Sequence, residues 1–376
     1  MTLIIGILIG GFLGIFLALI PGFNIGFAFL FSITVPDPYL GCGLVLGIEA
    51  TSVVVKSLGL LSGINNDDFP DKVIEDSNKV QLVWTAAFSY LFGKLLGCAM
   101  ASSLILFGDK EVFTIGVVHK SMALAVAGFV WAGLIYASGS KKLAGIITVI
   151  IAILSIATMN LPIEQPMFIL VSSLFIGNSL RSIRNRRKIK INSVEPTGDL
   201  LIHWGGIPGG LLSSLLWGLP TSALCRSIQD DLSPELIMSQ GALANAVASS
   251  FGLAILLTTG GARSASATQV SNLDLLFNRW ETIGILGASF CLTLITYIFF
   301  RQIMRIYIGF NNAIPYFFQI GVVISTIGFL TVTSSGWFIP LALAGLMISK
   351  LIKLAEAPKE LTLIATSVLP IISIFR

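Results

Sequence analysis

Charge is what this sequence has least of. Only 11% of its 376 residues are charged, where a soluble domain carries about 25%. Thirty-six residues pass before the first charge, Asp37. With 55% of positions hydrophobic, the composition is that of a chain dissolved in a bilayer.

Histidine and cysteine are scarce as well. The two histidines, His119 and His203, argue against a histidine metal centre. The four cysteines, Cys42, Cys98, Cys225 and Cys291, are scattered through apolar runs. No pair of them has metal-ligand spacing or outlines a disulfide framework, so they read as small packing residues. No phosphate-cradling glycine loop is followed by lysine, which excludes the usual ATPase signature. The chain is therefore expected not to be an enzyme and to need no cofactor. No hydrophilic stretch is long enough for an aqueous domain, so any soluble partner is a separate chain. No basic segment and small-residue cleavage site open the sequence, and the N-terminus is expected to belong to the mature protein.

What the chain does have is apolar spans long enough to cross the hydrocarbon core, which takes roughly 17 to 25 residues. They fall at 39–62, 81–107, 121–137, 143–159 and 167–180, then at 232–258, 282–300, 313–333, 336–354 and 359–375. Between the two sets lies the longest polar stretch, 181–199, with Arg181, Arg184, Arg186, Arg187, Lys188 and Lys190. The positive-inside rule places it in the cytoplasm of a cell-membrane protein. Counting crossings outward puts Lys141 and Lys142, Arg301 and Arg305, and Lys350 and Lys353 on the same side. The acidic 63–80 loop falls there too, which that rule tolerates because acidic residues weigh little in it. The net charge of +4 is thus read as topology, and no nucleic-acid partner is expected.

Two further segments, 3–34 and 200–228, are apolar but broken. The first runs from Gly10-Gly11 to Pro21-Gly22-Phe23-Asn24, the second from Gly209-Gly210 to Pro220-Thr221-Ser222. Aligning Gly10 with Gly209 also aligns Gly11 with Gly210, Leu13 with Leu212 and Pro21 with Pro220. Proline lacks the amide hydrogen that continues a helix, and glycine permits backbone geometry closed to other residues. Backbone groups freed at membrane depth are tolerated only against protein or a watery cavity. Matching interruptions in two halves are the best sequence pointer to a transport site.

If each broken unit enters and leaves on one side, each half has five full crossings and the halves are inverted. If the units cross fully, the halves are parallel. The expected fold is an all-α polytopic membrane protein of two inverted repeats, each with one proline-broken re-entrant hairpin plus about five transmembrane helices. The repeats cover 1–180 and 200–376, joined by the basic linker 181–199.

Helix N-termini at the breaks attract anions, which nominates Pro21, Gly22, Asn24, Pro220, Thr221 and Ser222 for substrate binding, with Arg226 and Arg263 as nearby cations. Glu49, Thr51 and Asn245 are nominated for Na+ or H+ coupling. An ionisable residue inside a span is a functional hypothesis by default; Lys94 is another such residue. Glu49 and Lys56 lie seven apart, two turns along one face, so a purely structural pair is an alternative.

The same glycines and prolines, with Ala262-Arg263-Ser264, carry a family likeness that spans both halves. The chain resembles the large permease subunit of tripartite tricarboxylate transporters, in its shorter archaeal branch. The resemblance implies a multi-helix permease with repeated halves that moves carboxylates by cation coupling. It also implies a small membrane subunit and a soluble binding protein as partners. The second break departs from the family pattern, with Pro-Thr in place of Pro-Gly.

The leading expectation is a secondary active transporter of a small anionic solute, its site at the midplane between the two breaks. A flippase for a lipid-linked phosphate fits the same pattern, and a non-transport membrane scaffold is the third reading. Membrane lipids and a second copy of the chain complete the expected partners.

Overall fold

The computed structural model describes residues 1–18, 35–62, 78–107, 120–163, 166, 169–174, 176, 180, 188–190, 193–215, 221, 225, 232–259, 275, 277–314 and 316–365. Regular structure among them is helical throughout. In chain order come α1 (Thr2–Ala18), α2 (Pro38–Lys56, prolonged by a 3-10 segment Ser57–Ser62), α3 (Lys79–Phe107), α4 (Lys120–Tyr136) and α5 (Lys141–Met159). Then follow α6 (Gly206–Leu215), α7 (Pro234–Thr259), α8 (Arg279–Ile298), α9 (Phe300–Ala313), α10 (Tyr316–Thr333) and α11 (Phe338–Leu354). A 3-10 turn, Lys359–Leu363, comes last. Among the described residues five helical stretches are long and apolar enough to cross a bilayer: Pro38–Ser62, Lys79–Phe107, Lys141–Met159, Pro234–Leu256 and Arg279–Ile298. The protein is an all-α polytopic membrane protein.

Local chemistry sets the helix starts. Asp37 accepts hydrogen bonds from the amides of Tyr39 and Leu40, with Pro38 next to it where a missing amide hydrogen does no harm. Asn278 and Glu281 form a reciprocal capping box at the start of α8. Asn78 caps α3 by accepting from the Gln81 amide at 3.4 Å. The two asparagines stand 200 residues apart.

The same spacing governs how the broken units dock. A Cβ on Gly6 would lie 2.5 Å from the Leu40 carbonyl oxygen, and one on Gly206 would lie 2.6 Å from that of Gln240. Gly10 abuts the Leu44 carbonyl in the same way, and a Cβ on Gly210 would come within 2.5 Å of the Ala244 carbonyl. Only glycine lets the backbones approach this closely. Gly10 is therefore equivalent to Gly210, which moves the expected register (Gly10 with Gly209) by one residue. A glycine doublet is ambiguous in sequence; packing decides which member faces the partner. Gly11 instead faces the Leu292 side chain on α8.

These contacts also give helix directions. Partner numbers rise together along α1 and α2 and along α6 and α7, so each pair runs parallel, and α2 starts at the end of the bundle where α1 starts. Along α3 and α7 they rise together too: Ser89 meets Ser239, Lys94 meets Ser249, and a Cβ on Gly97 would touch Ser250. Along α3 and α8 they run oppositely, since Trp84 stacks edge-on against Tyr297 while Cys98 bonds the Leu286 carbonyl. Halves 1–180 and 200–376 do not sit as separate bodies; α3 of the first packs on α7 of the second.

Apolar burial is organised in three clusters. One gathers α4, α5, residues 169–176, α10, α11 and the 355–365 segment. The other two stack end to end along the inner bundle. Ile7, Cys42–Ile48, Cys98–Ile105, Val247–Leu256 and Ile285–Leu286 fill one end. Val54–Leu61, Val80–Tyr90, Met238–Ala246 and Phe300–Tyr307 fill the other. Since the first part of α2 and the last part of α3 share a cluster, those two helices are antiparallel.

The spans expected at 39–62, 81–107, 121–137, 143–159, 232–258, 282–300, 313–333 and 336–354 have helical counterparts with ends shifted by a few residues. Within 167–180 the described residues, 169–174, 176 and 180, are helical; the rest of that span, and the part of 359–375 beyond Ala365, lie outside the described residues. The expectation did not foresee α9. Its Phe300, Ile303, Met304, Tyr307 and Asn311 are buried at helical spacing, and Arg301 and Arg305 are exposed. Such a helix averages out in any search for wholly apolar runs.

The linker is strapped to both halves. Gln81 is buried, its Oε1 accepting from the amides of Thr197 and Gly198, both at 3.1 Å, and its Nε2 donating to the Asp199 carbonyl at 2.7 Å. Trp84 Nε1 donates to the Val194 carbonyl, and Arg301 pairs with Glu195 at 2.7 Å. The Ile189 backbone exchanges two hydrogen bonds with the Asn312 side chain. The arginines of α9 thus share one end of the bundle with the basic linker. Likewise the Ser140 amide bonds the Ala355 carbonyl at 2.9 Å, which brings Lys141 close to the end of α11 that bears Lys353. Removing the Gln81 side chain strands three linker groups at about 1 kcal/mol each. Gln81→Ala is expected to lower stability by about 2–3 kcal/mol and to speed proteolysis between 188 and 199, which limited digestion followed by mass mapping would detect.

Candidate functional site

Along the inner bundle the two stacked clusters change over at a seam, and the buried charges described there, Glu49 and Lys94, lie at it with several hydroxyls. On α2 the first cluster ends at Ile48 and the second begins at Val54. Between them stand Glu49, Thr51 and Ser52. On α3 the changeover from Tyr90 to Cys98 brackets Lys94. On α7 it falls at Ala246 and Val247, next to Ser249 and Ser250, and on α8 it spans Ser289 and Thr293.

Glu49 is 8% exposed, and among the described residues it has no hydrogen-bond or ion-pair partner. No ion pair joins it to Lys56, so the structural pairing drawn from their spacing is not formed. Helix α2 is buried nearly all round, which is why a carboxylate two turns from its end is enclosed rather than fanned into solvent. Ser52, one turn on, is fully buried, with an Oγ that lacks a partner among the described residues. A buried carboxylate beside an unfilled hydroxyl is a chemically competent cation or proton site: both offer oxygen lone pairs, and neither is bonded among the described residues.

Thr51 points elsewhere. Its Oγ1 donates toward the Gly11 carbonyl at 2.9 Å and the Gly47 carbonyl at 3.1 Å, fastening α2 to α1, and Gly14 packs against the same hydroxyl. Thr293 Oγ1 makes the corresponding clip between α8 and α2, reaching the Ala50 carbonyl at 2.9 Å. The sequence offers Thr51 and Ser52 alike as short polar groups able to coordinate an ion, and the expected coupling set took Thr51; the two are adjacent, and only packing tells which hydroxyl is occupied.

Lys94 is wholly enclosed, and its Nζ donates to Ser249 Oγ at 2.8 Å. Small residues build its surroundings. Gly93 lets the α7 backbone in at Leu243, and Gly97 does the same at Val247 and makes room for the Ser250 side chain. Ser250 Oγ bonds the Ala246 carbonyl and lies 3.5 Å from Cys98 Sγ. Asn245 is half-buried on α7, one turn before Ser249 and on the same face. Lys94 and Asn245 thus belong to one crossing, while Glu49 and Ser52 sit on the neighbouring helix at the same level. By the 200-residue register, Glu49 and Ser249 are equivalent positions.

Thr221 is helical and half-buried. Pro21, Gly22, Asn24, Pro220, Ser222, Arg226 and Arg263 lie outside the described residues. Among the described residues no group of three histidine, cysteine, aspartate or glutamate side chains is placed to hold a metal ion. No protein family, curated protein or solved structure matches this chain.

Proposed function

We propose that the protein is a secondary active transporter of a small anionic solute, a carboxylate by preference, coupled to Na+ or H+ and working in the cytoplasmic membrane. One observation carries the reading. Helices α2 and α7 run in opposite directions while one docking register repeats, as the packing of Gly6 and Gly10 of α1 against α2 recurs in that of Gly206 and Gly210 of α6 against α7. Helix α3 antiparallel to α8, its counterpart by the shared asparagine cap, favours inverted repeats. The parallel run of α1 and α2 favours a first unit that leaves on the side where it entered, as a re-entrant hairpin does. Inverted repeats around discontinuous helices, with polar groups at the midplane, are the architecture of alternating-access transporters.

On this reading Pro21, Gly22, Asn24, Pro220, Thr221 and Ser222 line the solute path at the breaks, with Arg226 and Arg263 as supporting cations. Glu49 carries the coupling ion, with Asn245 near the solute. The resemblance to tripartite tricarboxylate permeases fits this division of labour, and so does the proposal that a small membrane subunit and a soluble binding protein act with the chain. No catalytic step is assigned to it.

The test is uptake of labelled acetate, succinate and citrate into proteoliposomes of the purified chain, with and without inward sodium or proton gradients. Accumulation of at least one of them several-fold above protein-free vesicles, lost when the gradient is collapsed, is the expected result. Equal counts in both vesicle types for all three anions would sink the reading.

A further inference from the structure

Lys94 has one hydrogen-bond partner among the described residues, the Ser249 hydroxyl, and an ammonium has three donors to satisfy. No carboxylate of the described chain neutralises it; Glu49, on the adjacent helix, makes no ion pair. A lone ammonium enclosed in a membrane-embedded bundle is expensive, and such residues mark solute or proton pathways. Simple packing would be served better there by an apolar side chain of the same length. The surroundings are also built to part. Gly93 meets the Leu243 carbonyl and the Ala246 methyl, and Gly97 meets the Ser250 side chain and the Val247 Cα, so the facing groups beside Lys94 are mostly small.

We propose that Lys94, positioned by Ser249, is the cation that receives the oxyanion of the transported solute. The solute supplies the countercharge that the described residues withhold. The inference rests on the transport reading and assigns the anion to α3 and α7, away from the proline breaks. It also gives the two halves opposite tasks at equivalent positions. Glu49 faces the coupling cation in the first half, and Ser249, its counterpart 200 residues on, holds the lysine for the anion in the second. Because Lys94 is sealed, an anion reaches it only when α3 and α7 separate, so loading the site and opening the crossing are one event.

Lys94→Met, Lys94→Arg and Ser249→Ala are compared with the wild-type chain in two assays. The first is uptake of acetate, succinate and citrate in proteoliposomes. The second is the rise in melting temperature that each anion, or short-chain phosphatidic acid, produces in detergent. Lys94→Met is expected to lose uptake by about tenfold or more, and to lose the anion-induced stabilisation. Lys94→Arg keeps part of both. Ser249→Ala raises KM severalfold with little change in maximal rate, a split that a purely structural serine would not produce. Should Lys94→Met fail to fold, the arginine and serine variants decide. Stabilisation by phosphatidic acid alone, dependent on Lys94, supports the oxyanion site and identifies the oxyanion as a lipid phosphate. Wild-type uptake that Lys94→Met leaves unchanged overturns the site and spares the transport reading. Lys94-dependent stabilisation without uptake does the reverse. Neither uptake nor stabilisation with any probe overturns both.

Discussion

Gly47→Leu is expected to abolish the folded protein. A Cβ at position 47 would enter the Ile7 carbonyl oxygen and lie 2.5 Å from the Gly11 amide nitrogen. Those neighbours are backbone, held by α1's own hydrogen bonds, and cannot rotate aside as a side chain would. Overpacking of an ordinary core costs about 1–3 kcal/mol when side chains can shift; here a whole helix must be displaced. Helices α1 and α2 would separate, breaking the Thr51 clip to Gly11 and opening the seam that encloses Glu49. Gly210→Leu should act alike on α6 and α7, since a Cβ there meets the Ala244 carbonyl at 2.5 Å. Gly128→Ala is the control. Nothing lies within 4 Å of its Cβ position, and the change should be neutral or stabilising by about 1 kcal/mol or less. Size-exclusion profiles and melting temperatures in detergent distinguish these outcomes. A monodisperse Gly47→Leu protein that melts within a few degrees of wild type would contradict the packing described here.

Glu49→Gln is expected to uncouple transport rather than unfold the chain. The substitution keeps size and shape and removes only the charge and the titrating proton. Because the carboxylate has no partner in the described structure, no bonded group is stranded by the change. Burial of an unpartnered carboxylate is itself a cost, so the amide should fold as well as wild type or better. Gradient-driven accumulation should fall by roughly 10- to 100-fold, the range of a typical coupling free energy, while exchange of anion across the membrane without a gradient persists. Ser52→Ala should weaken the dependence on the driving cation more mildly. Counterflow measured beside gradient-driven uptake separates the two effects. Loss of both together in a well-folded Glu49→Gln protein would show the carboxylate to be part of the solute path instead of the ion path.

Much of this arrangement can be read along the chain. Apolar length places α2, α3, α5, α7 and α8 within a few residues, because the bilayer demands a minimum run and charge is excluded from it. Asp37 followed by Pro38 announces α2, and Asn278 with Glu281 announces α8. Amphipathic α9 was legible only in its spacing, since its arginines hide it from a hydropathy count. Glu49 and Lys94 could be singled out by being charged where charge is costly. Their roles could not be graded, because sequence does not say which enclosed groups already have partners. Thr51 and Ser52 make the point on adjacent residues: one hydroxyl is tied to the Gly11 carbonyl and the other is unfilled.

The residue order by itself determined the solvent of this protein, the positions of the five long apolar helices described and the existence of two similar glycine-faced units. Each of those is a local property of one stretch of chain, set by hydrophobic length and backbone freedom. Tertiary structure decided the true register of the two units, the opposed directions of α3 and α8, and the meeting of Lys94 with Ser249 across 155 positions. Those depend on which helix faces which, and a glycine doublet or a lone lysine is compatible with several neighbours until the backbones pack.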